Sequence, residues 1–273
     1  MTLPAPAVLP LPTGPFEALP FLRGAIGVFD SGVGGLSVLR AIRDQLPQEQ
    51  LVYVADSGHA PYGDKPASHI VDRTLSVGLW LAQQGVRAIT VACNTATVTA
   101  VQALRERTHL PVVAIEPAIK PAVSLTQTGV VGVLATQQTI QSEGVAKLVE
   151  RFGRGVRVVL QACPGWVERV EQGDLDSAET LAMVTRDTEP LRAAHADVWV
   201  LGCTHYPFLW PALSRCAGPS VQLIDPAQAV ARELVRRLPP ASPQAPSSPP
   251  LTFFTSGDVG QAQRVITHLW HDL

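Results

Sequence analysis

Lysine is nearly missing from this chain. Only Lys65, Lys120 and Lys147 occur, and arginine supplies the other 18 of the 21 basic residues. None of the three sits beside a phosphate-type glycine loop or at a clear strand end. Chemistry that needs a Schiff-base lysine, as pyridoxal phosphate does, therefore finds no good anchor. Cysteine is also scarce. Cys93, Cys163, Cys203 and Cys216 are too few and too scattered to staple a chain of 273 residues, and a reducing cytosol keeps them as free thiols. Neither sign of charge is in excess: a net charge of −2 gives no footprint for nucleic acid or an anionic membrane. No apolar run reaches the roughly 18 residues that span a bilayer. Met1 to Pro20 has no apolar core and no basic residue precedes Arg23, unlike a secretory signal. These absences lead us to expect a cytoplasmic protein, with no nucleic acid and no membrane among its partners.

What is present is core material, at 46% hydrophobic residues, arranged as alternating strands and helices. Strands are expected at Ala25–Phe29, Gln50–Ala55, Ala88–Ala92, Val112–Ile115, Val130–Ala135, Val156–Gln161, Asp197–Leu201 and Val221–Ile224. Helix-period stretches between them include Leu36–Gln45, Ile70–Gln83 and Thr180–Ala194. Such alternation predicts an α/β fold with mainly parallel sheets and crossover helices. Two features repeat at nearly the same offset. Gly27-Val-Phe-Asp is matched by Gly132-Val-Leu-Ala, 105 positions on, and Cys93 by Cys203, 110 positions on. Chance resemblance between Gly-Val strands is one explanation; duplication into two similar domains with a cleft between them is the other. On the second, residues 25–117 with 225–273 form one domain and 118–224 the other. The helix Ala227–Leu238 and the strand Leu251–Thr255 would then return to the first. Six prolines in residues 1–22 make the N-terminus (1–24) a flexible or extended tail, and six more in 239–250 make a linker or surface loop.

Both repeated cysteines close a hydrophobic strand and open a polar helix start, on the rim where open α/β sheets bind ligands. In Ala92-Cys-Asn-Thr-Ala-Thr, Cys93 is either an inert buried thiol or a thiolate favoured by a helix N-terminus. In Gly202-Cys-Thr-His-Tyr-Pro, His205 stands ready to take or stabilise the proton of Cys203. Zinc on Cys203 and His205 would need further ligands, and nothing near Cys163 or Cys93 has a ligand spacing, so no metal is expected. Asp30-Ser-Gly-Val-Gly-Gly-Leu-Ser opens a helix after the first strand. Its glycines let backbone N–H groups approach an anion, or simply make a tight turn. It matches neither the dinucleotide glycine fingerprint nor a Walker loop. Cys163-Pro-Gly-Trp-Val-Glu-Arg169 has a C-x5-R spelling, but Trp166 and the single glycine spoil a phosphate cradle, so Cys163 and Cys216 are expected to be structural. Glu171, on a probable helix, reads by itself as a residue of a solvated face.

Taken in order, Gly27-Val-Phe-Asp-Ser-Gly-Val-Gly-Gly-Leu, Ala60-Pro-Tyr-Gly, Ala92-Cys-Asn-Thr-Ala-Thr, Ala162-Cys-Pro and Leu201-Gly-Cys-Thr-His-Tyr-Pro resemble the glutamate racemases of the cofactor-independent aspartate/glutamate racemase family. The resemblance runs from residue 26 to about 230. It implies two α/β domains related by pseudo-twofold symmetry, with the active site in the cleft between them. It implies no cofactor, glutamate as substrate and supply of D-glutamate for peptidoglycan. Cys93 and Cys203 would be the two acid/base residues, assisted by Asp30 and His205 respectively, with Glu171 as a further acidic residue near the cleft. Asp30, Ser31, Tyr62, Gly63, Asn94, Thr95, Thr204 and His205 would hold substrate, and Thr136 and Thr139 fall at positions that also approach it. The chain departs from the family pattern at Asp56-Ser-Gly-His59, where an Asp-Thr-Ala-Arg type is usual. The resemblance leaves quaternary state open between monomer and homodimer. Aspartate, hydantoin or another small carboxylate would suit the same fold, although the Cys-Thr-His motif and the Asp-Ser start favour glutamate. A two-lobed anion-binding protein without chemistry would explain the glycines and the cleft but not the two thiols.

Overall fold

A computed structural model describes residues 7–12, 18–239 and 251–272. Among the described residues, ten strands form two all-parallel sheets. The first contains β1 (Val8–Pro10), β2 (Ile26–Asp30), β3 (Leu51–Ala55), β4 (Ala88–Val91), β5 (Val112–Ala114) and β10 (Leu251–Thr255), in the order β1-β10-β3-β2-β4-β5. The second contains β6 (Val130–Ala135), β7 (Arg157–Ala162), β8 (Val198–Leu201) and β9 (Gln222–Ile224), in the order β7-β6-β8-β9. Parallel strands covered on both faces need apolar residues throughout, and every residue of β2, β3 and β4 is buried.

The order β3-β2-β4-β5 is repeated by β7-β6-β8-β9, which decides for duplication over chance. The registers agree as well. Gly27 lies opposite Ile89 and Gly132 opposite Trp199, so each repeated glycine pairs with the residue four positions before a cysteine. Both glycines have the same use: a Cβ at Gly27 would press on Leu81 of a covering helix, and one at Gly132 on Leu191.

Eleven α-helices occur among the described residues, and three position the site. These are α1 (Leu36–Gln45), α2 (Asn94–Arg107) and α3 (Trp166–Glu171). The helices at Ala67–Gln83 and Ala178–Ala193 each begin a few residues before the apolar period does. Their first turns are largely polar and exposed and are started by Pro66 and by the Ser177 cap, which accepts from the Thr180 N–H. One apolar cluster runs without a break from Ile26, Leu36 and Val38 under the first sheet to Trp166, Trp199 and Leu213 under the second. Two further clusters back the opposite face of each sheet.

The proline-rich N-terminal segment is not wholly a tail. Val8–Pro10 extends the first sheet beside β10, where Val8 N–H donates to Gln263 Oε1 (2.9 Å) and Leu11 N–H to the Thr255 carbonyl (2.6 Å). A proline is tolerated there because the edge of a sheet needs no further donor. Residues 1–6 and 13–17, and the expected proline-rich loop from 240 to 250, lie outside the described residues. None of the described helices is long and apolar enough to cross a membrane.

Candidate active site

The two cysteines line one small cavity between the sheets, together with Ser31, Tyr62, Gly63, Asn94, Thr95, Thr136, Thr204 and His205. Cys93 ends β4 and caps α2, with its Sγ accepting from the Ala96 N–H at 3.4 Å. Its thiol also lies 3.6 Å from Ser31 Oγ. Of the two readings of Cys93, the helix terminus supports the thiolate and burial the thiol, and burial prevails. Removal from water, with the nearby Asp30 carboxylate adding to it, pushes the Cys93 thiol well above the ordinary thiol range, against the pull of Ala96 N–H and Ser31.

Cys203 is set differently. Its Sγ lies 3.7 Å from His205 Nδ1, and His205 Nε2 is 2.7 Å from Glu171 Oε1. Burial disfavours the imidazolium, yet the bonds to Cys203 and Glu171 prevail and hold His205 well above its ordinary value. Glu171, at the end of α3, is therefore not on a solvated face. Its Oε1 also accepts from Val33 N–H (2.6 Å) and its Oε2 from Ser57 Oγ (3.3 Å). This assigns the glycine-rich loop an unexpected occupant: the anion it receives is the protein's own carboxylate. A Cβ at Gly32 would overlap Glu171, and one at Gly34 would overlap the His205 ring.

Asp30 lies between the two thiol environments and touches neither sulfur. Its Oδ1 accepts from Ser31 N–H (2.5 Å) and Oγ (3.1 Å), and its Oδ2 from Thr204 Oγ1 (2.8 Å). The predicted link to Cys93 thus runs through Ser31, with an equivalent link towards the Cys203 loop through Thr204. Burial raises the Asp30 carboxyl, partly offset by His205 and Thr204. Thr95, Thr136 and Thr139 form a buried hydroxyl triangle with sides of 2.9–3.1 Å. Both polar atoms of the buried Asn94 amide lack a partner, which marks a place for a polar ligand. Tyr62 turns its hydroxyl to Asp56 Oδ2 (2.6 Å), a residue the sequence did not single out.

Cys163 and Cys216 take no part in the cavity wall. The C-x5-R spelling is coincidental, because Arg169 points to Asp174 and Glu179 instead of the Cys163 loop. Among the described residues, no three His, Cys, Asp or Glu side chains converge as metal ligands. Five buried thiols and phenols, at Cys93, Cys163, Tyr53, Tyr62 and Tyr206, are all raised, chiefly by burial. Their folded values exceed the unfolded ones, so the stability they contribute is fully present below about pH 9 and is lost as pH rises towards the folded values. The thermal midpoint should fall steadily on titration above that pH, and a Cys163→Ala variant should fall less steeply. A flat midpoint in alkaline melts contradicts this.

Residues 26–234 match the family model for Asp/Glu/hydantoin racemases. The chain belongs to this family. It is 51% identical over 247 residues to a glutamate racemase of Methylococcus capsulatus, covering 90% of this chain and 91% of that one. Its fold is similar to the Escherichia coli glutamate racemase solved with L-glutamate and the activator UDP-MurNAc-Ala (TM-score 0.83, 34% identity, 91% and 95% of the two chains). It is also similar to the Francisella tularensis glutamate racemase solved with D-glutamate (TM-score 0.77, 27% identity, 93% and 95%). Within the family, the chain therefore falls among the glutamate racemases.

Proposed function

We propose that the chain interconverts L- and D-glutamate by two-base proton transfer between Cys93 and Cys203, and that this supplies the D-glutamate that the family provides for peptidoglycan. The observation that carries the mechanism is one cavity walled by two buried thiols, each from an equivalent strand end of one repeat.

The resting protonation follows from the neighbours. Cys93 is buried beside a carboxylate and stays a thiol, whereas Cys203 has an imidazole in contact that is itself backed by Glu171. The imidazole gives a Cys203 thiolate a cationic neighbour, so the scheme starts L-glutamate from a Cys203 thiolate and a Cys93 thiol. The Cys203 thiolate removes the α-hydrogen of L-glutamate, and the Cys93 thiol delivers its proton to the opposite face. The thiols finish with their states exchanged, and D-glutamate uses the reverse order. The α-carbanion places charge on the substrate carboxylate, so donors from Asn94, Thr95 and Thr204 count most in the transition state. Ser31 lines the same space and, with the Asp30 carboxylate bonded behind it, suits the substrate ammonium. Cys93, Asn94, Thr95, Cys203 and Thr204 are all buried, which strengthens these contacts. The cavity wall contains two thiols and no lysine.

The deciding experiment follows solvent deuterium into the α-position of each enantiomer in heavy water with no cofactor added. Racemisation accompanied by single deuterium incorporation is expected. Racemisation only on adding pyridoxal phosphate or a metal ion, or binding with no exchange, would sink the scheme.

A further inference from the structure

Proton transfer makes no use of one buried carboxylate near the cavity that accepts three side-chain bonds, Asp56. It directly follows β3 and is fully buried. Arg73, from the helix Ala67–Gln83, grips it with two bonds, Nε to Oδ2 (2.9 Å) and Nη2 to Oδ1 (2.8 Å). The Tyr62 hydroxyl supplies the third, to Oδ2 at 2.6 Å. The Asp56 backbone N–H donates to the Asp30 carbonyl (2.9 Å), and its own carbonyl accepts from His59 N–H. One residue therefore ties together the strand end bearing Asp30, an outer helix and the turn Tyr62–Asp64.

That turn is a wall of the cavity, through Tyr62 and Gly63. It is also where the first lobe meets the second: a Cβ at Gly63 would come to 2.8 Å from Thr136 Cβ. Arg73 and Asp56 themselves do not line the cavity. The chain departs from the family pattern just here, at Asp56-Ser-Gly-His59, and the cation on Asp56 comes from the helix behind. A planar guanidinium held by both carboxylate oxygens fixes direction as well as charge. Tyr62 gives its hydroxyl to this anchor and keeps its ring for the wall.

We propose that Arg73 and Asp56 are positioning residues that hold the Tyr62–Gly63 wall in its substrate-ready place, and that they set the affinity for both enantiomers without taking part in proton transfer. The wall carries neither thiol, so loosening it adds an ordering step to binding and leaves the acid/base pair intact. This rests on the racemase reading above.

The test compares wild type with Arg73→Lys, Arg73→Gln, Tyr62→Phe and the Arg73→Gln/Tyr62→Phe double variant. Steady-state kinetics would be measured with each enantiomer, and thermal midpoints alongside. Arg73→Gln and Tyr62→Phe should each raise KM about tenfold for both enantiomers with kcat little changed. Arg73→Lys should recover part of the loss. The double variant should be less than additive, because both changes release the same turn. A purely structural role would lower the thermal midpoint and the active fraction while leaving KM alone. If Arg73→Gln does not fold, Tyr62→Phe and Arg73→Lys carry the test. Unchanged KM in those two overturns the proposal, and so does full additivity in a folded double variant. Failure of wild type to exchange the α-hydrogen in heavy water would instead overturn the racemase reading itself.

Discussion

Cys203→Ala is expected to lower racemisation on the order of 10³-fold, and Cys93→Ala to do the same, because in the proposed scheme each removes one of two proton carriers. The geometry predicts a sharper result than simple loss. Cys93→Ala leaves the Cys203–His205–Glu171 chain intact, with contacts of 3.7 and 2.7 Å. The remaining thiolate can still remove an α-hydrogen and return a solvent deuteron to the same face. One enantiomer, L-glutamate on the assignment above, should therefore exchange its α-hydrogen with configuration retained while the other does not. Cys203→Ala should give the mirror result with D-glutamate, more slowly, since the Cys93 thiol is held protonated by burial and by Asp30. Proton NMR in heavy water combined with chiral chromatography reads both quantities at once. Exchange of both enantiomers by either variant, or full racemisation by either, would remove the division of labour between the thiols.

His205→Asn is expected to have the next largest effect, a fall in kcat/KM of about 10²-fold near neutral pH. The imidazole is the polar side chain bonded to Cys203 Sγ, and Glu171 sustains its positive form. Its raised pKa keeps it protonated as pH passes its ordinary value, so the cation stays beside Cys203 where a thiolate needs it. Removing a neighbouring cation raises a thiol's pKa. The acid limb of the kcat/KM profile, which reports ionisation of the free enzyme's base, should shift to higher pH in the variant. Glu171→Gln should shift it in the same direction by less. Because the enantiomers are equal in free energy, kcat/KM is the same in both directions at every pH. The unequal neighbours of the two thiols can therefore show only in kcat and KM taken separately. An unmoved acid limb in His205→Asn would mean that the histidine does not support the thiolate.

The sequence made the elements and the two matching cysteines legible because both are local. Hydrophobic runs of four to six residues ending in Cys-Asn-Thr or Cys-Thr-His state their own strand-to-helix junctions. The spacing of the two Gly-Val strands and two cysteines pointed to duplication, which the repeated strand order bore out. Other features gave no local signal. Val8–Pro10 is too short and too rich in proline to show a period, and only pairing with β10 makes it a strand. Arg73 reads as one more polar residue of an amphipathic helix until Asp56 is seen beneath it.

By itself, then, the chain's order of residues determined the α/β class, the two thiols at matching strand ends and the histidine beside one of them. The tertiary structure alone decided what each thiol experiences. Burial overrode the helix terminus at Cys93, and Glu171, 34 residues before His205 in the chain, became its partner. It also turned the glycine loop towards that carboxylate and left both polar atoms of Asn94 waiting for a ligand. The physical reason is range. Periodicity and capping act within a turn or two of chain, whereas desolvation and charge pairing depend on which loops two packed lobes bring to the same few ångströms.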